Sequence, residues 1–132
     1  MQLVSRRRRA AAWVIELVVV LTLAASGVAV GSAFTGGSVF AAVVVVLTSL
    51  WLYFAGFESS PEQTTLSGRI LGTRVTGLRG ERLTFARATT RHFAMYLSAV
   101  TPFFVGYFMA LWTKRRQTLH DWVARTVVVR KE

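Results

Sequence analysis

Apolar positions along this chain gather into three long runs separated by short polar segments. Residues 10–30 (AAAWVIELVVVLTLAASGVAV) carry one charge, and residues 39–57 (VFAAVVVVLTSLWLYFAGF) carry none. Residues 93–112 form a third run, also uncharged, with a polar start and an internal proline, Pro102. A helix crosses the hydrocarbon core of a bilayer in about 20 apolar residues. The runs therefore predict an all-α membrane protein: two full transmembrane helices, over 10–30 and 39–57, and a third hydrophobic helix broken at proline that is either re-entrant or spanning.

The polar segments predict the rest. Residues 58–65 (ESSPEQTT) read as a linker. In ILGTRVTGLRGERLTF, β-branched residues flank the turn-forming Gly77 to Gly80, which predicts a short cytoplasmic β-hairpin over about 69–85. Its Leu71, Val75, Leu83 and Phe85 share one face. Thr84 is a candidate N-cap for a helix over 85–96 that carries Arg87 and Arg91 at i and i+4. A tail over 113–132 holds a short C-terminal helix, and the whole of 1–132 reads as one small membrane domain.

Composition agrees with that solvent: 53% of the 132 residues are hydrophobic, against about 45–50% in a soluble domain. The net charge of +10 would suggest nucleic acid in a soluble protein, but no aromatic-basic reading module accompanies it. The sixteen basic residues fall at Arg6 to Arg9, between Arg69 and Arg91, and from Lys114 onward, while residues 31–38 (GSAFTGGS) have none. By the positive-inside rule the amino terminus and residues 58–92 face the cytoplasm. The basic segments then meet anionic lipid headgroups rather than nucleic acid. An apolar run of this length bearing Glu16 reads as a retained span rather than a cleaved signal peptide.

The third run presents a conflict. A single crossing would put the last six basic residues outside, against the charge rule, whereas a turn near Pro102 would keep them inside. Proline breaks a helix by removing a hydrogen bond and clashing with the preceding turn, so the charge rule favours the re-entrant path. Small residues mark packing faces: Gly27 and Gly31 in the first span, Gly106 and Ala110 in the third run.

Candidate chemistry is sparse. Glu16 is an acid inside an apolar helix, and such residues are functional candidates unless a partner compensates them. Arg9 is the nearest cation, two turns away and about 10 Å along the axis. Thr118 and Asp121 have capping-box spacing, so Asp121 has a structural role available at the start of a helix. His120 stands beside it. With no cysteine and only His92 and His120 as histidines, neither a disulfide nor a metal site is indicated, no cofactor is implied, and no nucleophile is in place for an enzyme.

The pattern Arg9, Ala12, Ile15, Glu16, together with TLSGRILGTRV, LTFARATTR and KRRQTLHDWVARTVVV, resembles the RDD family of bacterial membrane proteins over roughly residues 6–130. The resemblance implies a bacterial plasma-membrane location and carries the family's arginine onto Arg9, its first acid onto Glu16 and its second onto Asp121. Glutamate in place of the family's first aspartate keeps the charge and adds a methylene. Transport of small solutes or ions has been proposed for the family. Two functional readings follow. In one, the chain is a transport subunit, oligomeric because so few helices enclose no path, with Arg9, Glu16 and Asp121 handling a cation or proton and His120, Arg87 and Arg91 as secondary candidates. In the other it is a scaffold or accessory protein in which the same residues are orienting ion pairs and the basic segments bind lipid or a partner membrane protein.

Overall fold

The computed structural model describes residues 2–101 and 105–131. Two long helices dominate it, α1 (Arg6–Thr35) and α2 (Val39–Ser59), and both are long and apolar enough to cross a membrane. The first begins earlier than the apolar run suggested. Ser5 accepts a hydrogen bond from the Arg8 amide at 3.3 Å and caps the helix, so all four arginines lie inside it. Gly36, in the left-handed region at φ 66, ends it.

The two helices pack as an antiparallel pair through the glycine face. A Cβ placed on Gly31 would stand 2.7 Å from Ala42 Cα, and one on Gly27 2.8 Å from a Val46 methyl. Only hydrogen fits there. Most other apolar side chains of the pair point outward: Val14, Leu21, Phe34 and Phe40 are all well exposed, as a lipid-facing surface requires. Hydroxyls within the spans satisfy themselves locally, Thr22 donating to the Val18 carbonyl at 2.8 Å and Ser49 to that of Val45 at 2.7 Å.

Beyond α2 the chain forms α3 (Leu66–Leu71), β1 (Thr73–Gly77), α4 (Phe85–Val100), α5 (Val105–Phe108) with a 3-10 turn over Met109–Leu111, α6 (Leu119–Val123) and β2 (Thr126–Arg130). The expected hairpin over 69–85 is not formed. Strand β1 instead pairs antiparallel with β2, from Thr73 opposite Arg130 to Gly77 opposite Thr126. The reason lies in what each rival arm offers. Residues 81–84 are used up by turn and cap: the Glu81 carbonyl accepts from the Gly77 amide, its carboxylate accepts from the Arg79 amide, and the Thr84 hydroxyl caps α4. TVVVR supplies four consecutive β-branched residues, of which Thr126, Val127 and Val129 become buried. Leu3 adds an isolated bridge to Val129, on the far side of β2 from β1. The fold is thus mostly helical with a small two-stranded sheet, not all-α.

A compact core of Ala55, Val75, Leu83 and Ala88, with Trp51 and Val128 against it, joins α2, β1 and α4. Of the four residues expected on one face, Val75 and Leu83 are buried, Leu71 is partly so, and Phe85 is exposed. Helix α4 and the helical residues Val105–Leu111 are inclined at 117°; the predicted break at Pro102 lies outside the described residues. Because β2 is tied to β1 and to the amino-terminal arm, the described carboxy-terminal segment lies at the end of the α1/α2 pair where the chain starts. Gly36 and Gly37 are at the other end.

Replacing Gly31 by leucine is expected to destabilise the helix pair by about 1–3 kcal/mol, the usual cost of overpacking, read as a lower thermal midpoint in detergent. The same change at Gly56, where a Cβ meets nothing within 4 Å, should leave the midpoint in place.

Candidate functional site

Four ionisable side chains meet at the polar end of the molecule. Arg9 comes from the second turn of α1, Glu58 from the last turn of α2, Arg91 from the middle of α4 and Asp121 from α6. Asp121 is the hub. Its Oδ2 accepts from Arg9 Nη2 at 2.7 Å, and its Oδ1 accepts from Arg91 Nε at 2.9 Å and Nη2 at 2.7 Å. The remaining Arg91 Nη1 donates to Glu58 Oε1. All four are buried, and two arginines with two carboxylates balance. Burial makes such balance compulsory, since an unpaired charge in low dielectric costs several kcal/mol.

Local sequence explains how Asp121 reaches this position. The Thr118 hydroxyl accepts from the Asp121 amide and the Asp121 carboxylate accepts from the Thr118 amide at 3.1 Å, a complete capping box. Capping and ion pairing are therefore one arrangement, not alternatives. His120 completes it from the other side, with Nδ1 3.1 Å from the Ser98 hydroxyl and Nε2 2.9 Å from that of Thr118.

Electrostatics follow from the packing. Burial opposes ionisation of Asp121, but the guanidinium groups of Arg9 and then Arg91 overcome it and hold the carboxyl well below the usual carboxylate range. Burial pushes the His120 imidazole down to about 3, against the attraction of the Asp121 carboxylate.

Glu16 is not part of this network. The expected Arg9–Glu16 pair is absent: side chains on a helix lean toward its amino terminus, and Arg9 leans onto α6, where Asp121 holds it. Glu16 instead faces hydroxyls. Its Oε1 accepts from Ser67 Oγ at 2.6 Å and from Thr65 Oγ1, and its Oε2 from Tyr53 OH at 3.2 Å. Tyr53 is fixed in turn by the Leu66 amide, which donates to its hydroxyl. Glu16 makes no ion pair among the described residues.

Glu16 and three members of the network, Arg9, Glu58 and Arg91, line one cavity of about 520 Å³, within the range of small-molecule sites. Its polar side carries Arg8, Arg9, Glu16, Glu58, Arg74 and Arg91, and its apolar side carries Trp13, Leu17 and Phe108. Three buried atoms of its lining residues have no hydrogen-bond partner among the described residues, Arg9 Nε, Glu58 Oε2 and Arg74 Nε. No group of three or more metal-binding side chains occurs among the described residues.

The structure therefore brings Arg9, Arg91, His120 and Asp121 together and sets Glu16 beside them. Arg87 stands apart, donating to Glu81 and to the carbonyls of Ala124 and Arg125, so that it braces the turn between α6 and β2. Sequence reasoning missed Glu58, placed in a linker although it directly follows the second apolar run. It also missed Tyr53, Thr65 and Ser67, whose hydroxyls carry no pattern in sequence.

Two apolar helices closed at one end by a buried ion-pair network define a helical membrane protein. The chain belongs to the RDD family, whose model matches residues 3–125. It is similar to the uncharacterized protein YxaI of Bacillus subtilis (strain 168), 33% identical over 89 residues, which are 67% of this chain and 57% of the relative. The chain thus spans somewhat over half that relative's length. No solved structure matches.

Two outcomes test the network. Asp121→Asn should cost about 3–5 kcal/mol, because two buried arginines lose a counter-charge, and should appear as lost yield and a lower thermal midpoint. The second concerns pH. An unfolded chain protonates His120 near pH 6.5 and the folded one only near 3, so the unfolded state binds the extra proton between those values. Stability from this residue is complete above about pH 6.5 and is lost as pH falls toward 3. Asp121 contributes in the same sense, further into acid. Thermal midpoints of His120→Gln should fall less steeply than wild type over the upper part of that window.

Proposed function

We propose that this protein is a membrane transport subunit that takes up a proton or a small cation at Glu16. One observation carries the reading. Among the described residues the four-membered network is neutral by itself, with Arg9 and Arg91 against Glu58 and Asp121, and Glu16 forms no ion pair with any arginine. Three hydroxyls stabilise its carboxylate without neutralising it. A proton or an alkali cation meets this carboxylate without an ion pair having to break first, and the cavity supplies the approach.

Arg9, Asp121 and Glu58 then have a supporting role: they fix the end of α1 against α4 and α6 and so hold the cavity wall. This assigns to the ion pair what a scaffold reading would assign to the whole protein. The positive-inside rule supports placing the end that carries the network at the cytoplasmic face of the bacterial plasma membrane, because the basic segments gather there and the Gly36–Gly37 turn has none. A pair of membrane helices encloses no path of its own, so transport requires several copies or a partner.

Proteoliposomes with a pH-sensitive dye inside test the proposal. Wild type should give cation-dependent proton flux above empty vesicles. Glu16→Gln should lower it by about tenfold or more, the effect of removing an essential acid-base group, with yield and thermal midpoint unchanged. Wild-type flux equal to that of empty vesicles would overturn transport and leave the scaffold role.

A further inference from the structure

We propose that the cleft between the start of α1 and the carboxy-terminal strand is a binding site for the phosphate of an anionic phospholipid. Three arginines from distant parts of the chain line it: Arg8 in α1, Arg116 in the segment before α6, and Arg130 at the end of β2, with Ser5 beside them and Leu3 on its apolar side. The cleft has a volume of about 390 Å³.

None of the three forms an ion pair among the described residues. Two are nonetheless held in place. Arg8 Nη1 donates to the Leu71 carbonyl at 3.0 Å, and Arg116 Nη1 to that of Val4 at 2.7 Å. Arg130 is positioned by its backbone, whose amide donates to the Gln2 carbonyl at 2.9 Å. Each anchored guanidinium has five N–H donors and spends one on these contacts, so most remain for a ligand. Arg116 also adopts the left-handed conformation at φ 51, an arrangement that costs about 1–3 kcal/mol in a residue with a side chain. Elsewhere in this protein the buried arginines 9 and 91 are neutralised by carboxylates. Here three like charges converge without one, and the repulsion calls for an anion from outside the chain.

Position selects the anion. Arg8 lies six residues before Val14, the first strongly exposed apolar residue of α1, which is about 9 Å along the helix axis. That offset puts the arginines in the headgroup layer when Val14 enters the hydrocarbon core. Arginine forks match phosphate oxygens in charge-assisted, bidentate geometry, and Leu3 offers an apolar wall to the glycerol side of a headgroup.

Native mass spectrometry of the detergent-purified protein, offered equal amounts of phosphatidylglycerol and phosphatidylcholine with identical acyl chains, tests this. Wild type should retain the anionic lipid in about tenfold excess, a difference of about 1.4 kcal/mol. Arg130→Gln, an exposed change at a strand end, should reduce that excess, and the double variant Arg116→Gln with Arg130→Gln should abolish it. Arg79→Gln, on an exposed turn outside the cleft, should preserve it. A wild-type ratio near one would overturn the site, and so would an equal loss in Arg79→Gln, which would mean diffuse surface charge. Complete displacement of the lipid by excess inorganic phosphate would overturn the lipid as the source of the anion.

Discussion

The pairing of Asp121 with Arg9 and Arg91 is the constraint on which the polar end of this protein depends. It joins the first helix to the fourth and sixth through a single carboxylate, and the partners are 112 and 30 residues away in sequence. Once α6 is fixed there, the seven residues from Ala124 to Arg130 have little freedom. Strand β2 leaves α6 within a few residues and arrives beside β1 on one side and Leu3 on the other. The sheet has only two strands, and a two-stranded ribbon is marginal without support. The ion pair and the small core of Ala55, Val75, Leu83 and Ala88 provide it.

Two kinds of force divide the molecule between two solvents. In the helix pair there is no gain from hiding apolar surface, because lipid is as apolar as valine; close backbone approach at Gly27 and Gly31 does the work. At the polar end, water and headgroups compete with every contact, and specificity comes from buried charge and capping. The boundary between these regimes passes near Glu16, where an acid from the lipid-facing helix meets the hydroxyls of Tyr53 in α2 and of Thr65 and Ser67 beyond it.

What could be read from sequence was whatever depends on neighbours along the chain. The first two spans followed from length and apolarity, and the caps at Thr84 and Thr118 from local spacing, and both caps form. Non-local pairing was not legible. The hairpin over 69–85 looked sound because β-branched residues flanked a turn, yet the better partner for β1 was a valine run about fifty residues later. Arg9 and Glu16 seemed paired by proximity on one helix, but the lean of helical side chains and the stronger claim of a fully buried Asp121 separate them. Glu58 was overlooked for a related reason: at the edge of an apolar run it reads as the start of a linker, whereas the helix continues through it and buries it.

The two acids carried over from the family pattern thus differ in one physical respect, and their roles divide along it. Asp121 receives full positive charge from two arginines and is satisfied within the chain. Glu16 receives only hydroxyl dipoles. A lone acid at mid-membrane costs on the order of 3 kcal/mol, and less near an interface, so three hydrogen bonds can make its position tolerable. They cannot cancel its charge. The Glu16 carboxylate lies against the hydroxyls of Thr65 and Ser67, while Arg9 is committed to Asp121. An acid placed in this way has no ion pair among the described residues to break before it meets a counter-charge. Under the proposed transport role, uptake and release at Glu16 would leave the Asp121 network, and with it the fold of the polar end, unchanged.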